Sequence, residues 1–227
     1  MEDFGLAEAC NGHSVMFLDT GAFVLPEPDS LFNRIDVNRV YSERDQMNYI
    51  RTVNILLENT FTVTPGVSIE VKGLADVTDD CKKIPNARKR LIDHARDLAT
   101  NGRVINYDVN ELRLLKDASL YFRFFTEKGP LSPVDYEILM SSIVSATYRG
   151  PTGVLTNDTG IVGSFESMTK FLRAGYIDHG MPAPRYPIDV YSILLSGKFS
   201  RQATYNPKSP SRRSRPRLEV KVGKPFL

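Results

Sequence analysis

The amino-acid sequence predicts an α/β protein, a sandwich of helices around a mainly parallel sheet. Short apolar runs of strand length alternate along the chain with longer segments whose apolar residues recur at helical spacing. Alternation of this kind is typical of sheets whose parallel strands are connected through helices. The chain of 227 residues, of which 41% are hydrophobic, is long enough to bury a sizeable core.

The first half of the chain is predicted to hold three strands and three helices. The strands cover residues 15–18, 61–64 and 104–107, and the helices cover 42–59, 82–100 and 109–126. The first strand runs directly into Asp19. A turn at Pro65-Gly66 follows the second strand, and a short element over residues 67–71 carries Glu70.

Residues 131–165 give the clearest local signals. Ser132 is a candidate N-cap, Pro133 suits the first helical position, and Asp135 stands three residues after the cap. The apolar residues that follow are spaced as one buried helix face, and Gly150-Pro151 ends the helix. A short strand over residues 153–155 then leads to Thr156 and Asp158, and a last helix is expected over residues 164–174.

Charge is distributed unevenly along the chain. Residues 197–227 contain nine Lys or Arg against Glu219 alone, a net charge of +8, which leaves residues 1–196 with 20 basic and 26 acidic residues, a net charge of −6. We predict one domain over residues 1–196 and a basic, flexible C-terminal extension over residues 197–227. An extension of this charge suggests a polyanionic partner.

Four acids stand at the ends of predicted core elements. Asp19 and Asp158 follow strands, Asp135 begins a helix, and Glu70 follows a strand and a turn. The ends of parallel strands meet at one edge of a sheet, where α/β proteins form their sites. Clustered carboxylates offer only oxygen ligands, which favour Mg²⁺ or Mn²⁺, ions suited to phosphodiester cleavage. Each acid also has a simpler explanation, Asp135 as a capping residue and the others as turn or surface residues.

The matching stretches VMFLDTGAFV, FTVTPGVSIEV, LSPVDYEIL and GVLTNDTGIV occur in this order between about residues 14 and 175. In that order they resemble the PIN-domain endoribonucleases. The resemblance implies a three-layer α/β/α fold, a Mg²⁺ or Mn²⁺ site, and hydrolysis of RNA by a metal-activated water, with a 3′-hydroxyl as leaving group. It assigns metal binding and catalysis to Asp19, Glu70, Asp135 and Asp158, and it suggests Thr156 as a hydrogen-bond donor in the site.

The chain departs from the family pattern at Gly160, because many members carry a further acid two residues after the last of the four. The alternative is therefore an inactive PIN-like module that binds RNA or a protein. Two other interpretations are disfavoured. Asp-Thr-Gly occurs twice, as in two-lobed aspartic proteases, but that fold is almost entirely β, and Gly21 replaces the second Asp that an aspartyl phosphatase would need.

RNA is the expected partner, and two basic stretches are candidates for backbone contacts. They comprise Lys82, Lys83, Arg88 and Lys89, and Arg212, Arg213, Arg215 and Arg217. Tyr205 and Tyr186 are candidates for base stacking, although burial is the more natural expectation for Tyr186. A second copy of the chain and a protein inhibitor, such as an antitoxin, are the other partners considered.

The remaining features concern the compartment. Cys10 and Cys81 have no metal-ligand spacing, and three isolated histidines have no evident acid–base partner. The acidic first residues predict no signal peptide, and no apolar run approaches the length of a membrane span. A cytoplasmic protein with no membrane partner is therefore expected.

Overall fold

The computed structural model shows an α/β fold built on one mixed, open sheet. It describes residues 3–4, 6–23, 61–73, 103–122, 131–174, 180–193 and 199–208, and the single helical residues Met47, Asn54, Leu57, Asp93, Asp97 and Thr100. The strands are β1 (Asp3–Phe4), β2 (Val15–Leu18), β3 (Thr152–Leu155), β4 (Ile188–Ile193) and β5 (Phe199–Tyr205). The helices are α1 (Leu6–Asn11), α2 (Thr20–Phe23), α3 (Pro65–Gly73), α4 (Val109–Phe122), α5 (Pro133–Tyr148) and α6 (Thr159–Ala174).

The sheet has the order β1-β5-β4-β3-β2. Strands β2, β3 and β4 are parallel, and Leu18 at the end of β2 lies opposite Leu155 at the end of β3. Strand β5 is antiparallel to both β4 and β1. Single parallel bridges, Phe17 to Thr62 and Val63 to Val104, extend the parallel part beyond β2. The parallel centre that the sequence predicts is therefore present, with an antiparallel edge added to it.

Helix α5 is the central helix, and it contacts β2, β3 and β4 as well as α3, α4 and α6. Its ten residues from Ile138 to Thr147 are all buried. Three of the polar side chains among them, Ser141, Ser142 and Thr147, donate their hydroxyl groups to backbone carbonyls of the same helix, as Thr147 does to Ile143 at 2.8 Å. The buried Ser145 hydroxyl has no hydrogen-bond partner among the described residues. The helix ends at Tyr148, and Gly150 follows the C-cap residue Arg149 with a φ of 150°, which side-chain-bearing residues rarely adopt.

An ion pair joins α4 to the end of α5. The Arg149 guanidinium, at the end of α5, donates from Nε and Nη2 to the two carboxylate oxygens of Glu111, each at 2.6 Å. The Glu111 side chain is only 5% exposed, and both of its carboxylate oxygens accept these hydrogen bonds. At the opposite end of the pair of helices, the hydroxyl of Tyr136 donates to the carbonyl of Ser119 at 2.6 Å. The two helices therefore pack side by side in opposite directions.

Several predicted elements differ from the observed ones. Pro65-Gly66 is wrong as a turn, because α3 begins at Pro65 and carries Glu70 within it. Residues 61–64 and 104–107 contribute only single bridges rather than whole strands. Helix α6 begins at Thr159, five residues before its predicted start.

The boundary predicted after residue 196 falls between two paired strands. The sequence does not predict β4 or β5, and β5 (Phe199–Tyr205) belongs to the sheet rather than to an extension. Its residues Ala203 and Tyr205 are buried in the core. The predicted extension can therefore begin only after β5, and residues 209–227 lie outside the described residues.

The predicted helices over residues 42–59 and 82–100 also lie outside the described residues, apart from six single positions that are all helical. Within the described part of the chain, no helix is both long enough and apolar enough to span a membrane.

Candidate functional site

Asp19 and Thr156 meet where β2 and β3 end. The backbone N–H of Asp19 donates to the carbonyl of Leu155 at 3.0 Å, which continues the β2–β3 ladder by one residue. The hydroxyl of Thr156 then donates to Oδ2 of Asp19 at 2.6 Å. Both side chains are buried, with Asp19 only 3% exposed. The parallel register thus brings together two residues that lie 137 positions apart.

Asp158 extends this arrangement toward α6. Its backbone N–H donates to the hydroxyl of Thr156 at 2.9 Å, so Thr156 links the two aspartates. Its carboxylate oxygen Oδ1 accepts from the N–H of Gly160 at 2.5 Å. A Cβ at position 160 would lie 2.9 Å from that same oxygen. The glycine therefore gives the Asp158 carboxylate room to lie against the backbone.

Asp135 begins α5 in the predicted capping box. The N–H of Asp135 donates to the hydroxyl of Ser132, and the N–H of Ser132 donates to Oδ2 of Asp135, each at 3.1 Å. The cap fixes this carboxylate through one oxygen. Asp135 is neither fully buried nor fully exposed.

Glu70 lies in the second turn of α3. Its oxygen Oε2 accepts a hydrogen bond of 2.6 Å from the hydroxyl of Thr20, the first residue of α2. Thr20 directly follows Asp19, so the same short stretch of backbone carries one acid, Asp19, and binds another, Glu70. Glu70 is the most exposed of the four acids.

The four carboxylates influence one another electrostatically. Burial raises the pKa of Asp19 to about 6, with the charges of Asp135 and Asp158 adding to the effect and the Thr156 hydrogen bond opposing it. Burial also raises the pKa of Asp135, with the charges of Asp158 and Glu70 adding to it and the hydrogen bond from Ser132 opposing it. Acids from four separate elements therefore form one electrostatically coupled group, which we call the acid group.

The donor chemistry of the acid group suits Mg²⁺ or Mn²⁺, since all its ligand atoms are carboxylate or hydroxyl oxygens. Among the described residues, however, no set of three or more His, Cys, Asp and Glu side chains lies close enough together to hold a metal ion. Each carboxylate is instead turned to a hydrogen-bond partner of its own: Thr156, Thr20, Ser132 or Gly160. Cation binding would require these side chains to turn toward one another.

Two contacts near the strand ends are not predicted by the sequence. Glu137, in α5, accepts a hydrogen bond from the N–H of Gly66 at 2.7 Å. At the opposite end of β2, Nε2 of His13 donates to Oδ2 of Asp189, in β4, at 3.1 Å. Local sequence carries no signal for either contact, because the partners are 71 and 176 residues apart.

The candidate RNA-binding residues are not brought together with the acid group by the described part of the structure. All eight basic residues proposed for backbone contacts lie outside the described residues, in 82–89 and 212–217. The expectation for the two tyrosines is wrong, because Tyr205 is 3% exposed and donates to the carbonyl of Pro184, whereas Tyr186 is 40% exposed. Burial removes Tyr205 as a base-stacking candidate.

An open groove of about 760 Å³ lies between α4 and residues 180–182. Its lining includes Arg113, Asp117 and Tyr148, and none of the residues of the acid group.

No protein-family model, no curated protein and no solved structure matches this chain.

Proposed function

We propose that this chain is a Mg²⁺- or Mn²⁺-dependent endoribonuclease of the PIN-like type. The observation that supports it most is the acid group, in which Asp19, Glu70, Asp135 and Asp158 arrive from four elements and interact electrostatically. The parallel strands β2, β3 and β4 and the helices around them are compatible with the three-layer α/β/α sandwich of that family.

Asp19 is the centre of the proposed site. A buried carboxylate near two other carboxylates is unfavourable in its charged form, and a divalent cation offsets that cost. When bound, Mg²⁺ or Mn²⁺ supplies Lewis-acid stabilisation of the charge that develops at the phosphate. The four acids would hold the ion, while Thr156 orients Asp19 and Thr20 orients Glu70. Outer-shell hydrogen bonds of this kind tune the ligands of metal sites.

The rival proposal is an inactive PIN-like module that binds RNA or a protein. Gly160 favours it, because an acid found there in many family members is missing and the Gly160 N–H instead binds the Asp158 carboxylate. Because both proposals allow RNA binding, cleavage distinguishes them and binding does not.

A cleavage assay on single-stranded RNAs of varied sequence tests the proposal. We expect the wild-type chain to cut RNA with Mn²⁺ and to stop in EDTA. In Asp158→Asn the rate of RNA cleavage should fall by more than the roughly 10- to 100-fold that is typical when a hydrogen-bond partner of a metal ligand is removed. The matched control is Asp117→Asn, which makes the same chemical change in the groove beside α4.

Intact RNA after incubation of the wild-type chain with Mn²⁺ would favour the inactive module. Equal cleavage by the wild-type chain and Asp158→Asn would remove the acid group from the mechanism. Loss of activity in Asp117→Asn as well would point to a general loss of structure rather than to a specific role of the acid group.

A further inference from the structure

The first turn of α3 has a hydrogen-bond partner supplied by another helix. A helix leaves its first N–H groups without partners inside the helix. Pro65 has no N–H, and Thr64 accepts from the N–H of Val67 through its hydroxyl at 3.3 Å and from that of Ser68 through its carbonyl at 2.9 Å. The N–H of Gly66 donates across to Oε2 of Glu137, in α5, at 2.7 Å. Glu137 therefore completes the cap that Thr64 begins.

Glycine at position 66 makes this approach of two helices sterically possible. A Cβ there would overlap the Glu137 carboxylate and would lie 3.1 Å from Cγ2 of Val134. Val134 and Glu137 are three residues apart, so they lie on the same face of α5. That face of α5 thus packs directly against the backbone of α3. We call the contact of Gly66 with Glu137 and Val134 the α3–α5 clamp.

The clamp lies beside two members of the acid group. Gly66 and Glu70 are four residues apart on α3, which places them on one face of the helix, one turn from each other. Glu137 follows Asp135 by two residues in α5, and Glu70 and Asp135 are close enough to interact electrostatically. Thr20 binds Glu70 from the side of α2 at 2.6 Å. The position of α3 along α5 therefore sets the distance between Glu70 and Asp135.

We propose that Glu137 is a positioning residue of the acid group, which holds α3 against α5 through Gly66 and thereby sets Glu70 relative to Asp135. The expected effect of Glu137 on metal binding rests on the proposed function. Glu137 itself acts through α3, because its carboxylate oxygen Oε2 is engaged by the Gly66 N–H. Outer-shell partners of metal ligands typically change metal affinity by roughly 10- to 100-fold when removed.

The test compares Mn²⁺ affinity, measured by calorimetry on the full chain, in the wild type, Glu137→Ala and Glu137→Gln. We expect Glu137→Ala to bind Mn²⁺ at least about 10-fold more weakly. Glu137→Gln should stay close to the wild type, because its amide oxygen can accept the same hydrogen bond from Gly66. The matched control is Glu166→Ala, an exposed glutamate on α6.

Hydrogen exchange of the α3 amides provides a readout that needs no metal. We expect the amides of Gly66 to Glu70 to lose protection in Glu137→Ala and to keep it in Glu137→Gln and Glu166→Ala. If Glu137→Ala lowers only the unfolding temperature and leaves Mn²⁺ affinity unchanged, the positioning role is refuted. Equal losses in the Ala and Gln variants would refute the hydrogen bond as its cause.

A wild-type chain that binds no Mn²⁺ would contradict the proposed function rather than the clamp. The exchange data then decide the clamp alone, and unchanged protection of α3 in Glu137→Ala overturns it. The two failures are therefore distinguishable in one set of proteins.

Discussion

Two buried aspartates in or beside the sheet have pKa values shifted in opposite directions, because other interactions outweigh burial at Asp189 but not at Asp19. Burial and the charges of Asp135 and Asp158 raise the pKa of Asp19. Burial acts in the same direction on Asp189, but the hydrogen bonds from His13 and Thr204, together with the Arg201 guanidinium 3.9 Å away, outweigh it and hold its pKa below the ordinary value. The acid whose pKa is raised by burial and by neighbouring acids, Asp19, is the candidate for function.

Replacing Asp19 by Asn should stabilise the metal-free protein at alkaline pH. The folded-state pKa of about 6 lies above the ordinary value of 3.8, so folding costs free energy once pH rises through that range. The cost reaches about 3 kcal/mol above the folded-state pKa and is absent below pH ~4. Urea denaturation in EDTA should show Asp19→Asn more stable than wild type at pH 8 and equal to it near pH 4. A variant that is less stable at pH 8 would contradict the assigned environment of Asp19.

Replacing Asp189 by Asn should have the opposite effect. Its lowered pKa means that the charged form contributes stability above the unfolded-state pKa and that this contribution is lost as pH falls through the folded-state pKa. Removing one partner of the buried His13–Asp189 pair should cost roughly 3 kcal/mol at pH 7. Urea denaturation measures this loss of stability, and the difference in unfolding free energy between Asp189→Asn and the wild type should shrink in acid. An unchanged midpoint at pH 7 would show that the pair contributes little.

Local sequence predicts an element well where its ends carry signals. Helix α5 is predictable because Ser132, Pro133 and Asp135 form its N-terminal cap and Gly150 comes directly after its C-cap residue. Thr64-Pro65 repeats the pattern of Ser132-Pro133 and is the available signal for the start of α3. The glycine that follows at position 66 makes the same stretch resemble a turn, whereas the structure needs that glycine for contact with α5.

Strands β4 and β5 escape prediction for a physical reason. In β4 the buried residues include the acid Asp189, whose carboxylate accepts a hydrogen bond from His13 in a distant part of the chain. A register shift between Val190 and Tyr191 also interrupts the pairing of β4 with β5. Strand β5 contains Arg201 and Gln202, which resemble the basic sequence that follows it. Only tertiary pairing makes these two segments strands.

Two truncations test whether β5 belongs to the domain. A chain of residues 1–208 keeps β5. A chain of residues 1–196 lacks β5, so β4 and β1 lose their partner strand and the edge of β4 is exposed. We expect the longer chain to unfold cooperatively near the wild-type temperature and the shorter one to aggregate or to lose its cooperative transition. Circular dichroism melts measure both. Cooperative folding of residues 1–196 would restore the boundary that the sequence predicts.

At the scale of the molecule, the acid group and the basic segment occupy different parts of the chain. Residues 209–227 contain six Lys or Arg, including Arg212, Arg213, Arg215 and Arg217, and one acid. We expect the 1–208 chain to bind single-stranded RNA more weakly and with a flatter salt dependence, the slope falling by roughly 0.7 for each phosphate that the segment neutralises in the full chain. Fluorescence anisotropy at several salt concentrations measures this. An unchanged slope would remove the segment from RNA binding.

Asp19, Asp135 and Asp158 of the acid group are predictable from element ends, because strand ends and helix starts converge in parallel α/β sheets. Glu70 lies inside α3 rather than at the end of an element. The orientation of the four side chains is not predictable, since the partners Thr20, Ser132, Thr156 and Gly160 decide where each carboxylate turns. That orientation also determines whether a cation joins the four acids.

Calorimetric titration of the metal-free full chain with Mn²⁺ at about pH 7.5, above the raised pKa of Asp19, tests the central proposal most directly. We predict saturable binding that weakens at least about 10-fold in both Asp19→Asn and Asp158→Asn, while Asp117→Asn binds as the wild type does. The absence of saturable binding by the wild type, or equal binding by all four proteins, would contradict a divalent-cation site at the acid group.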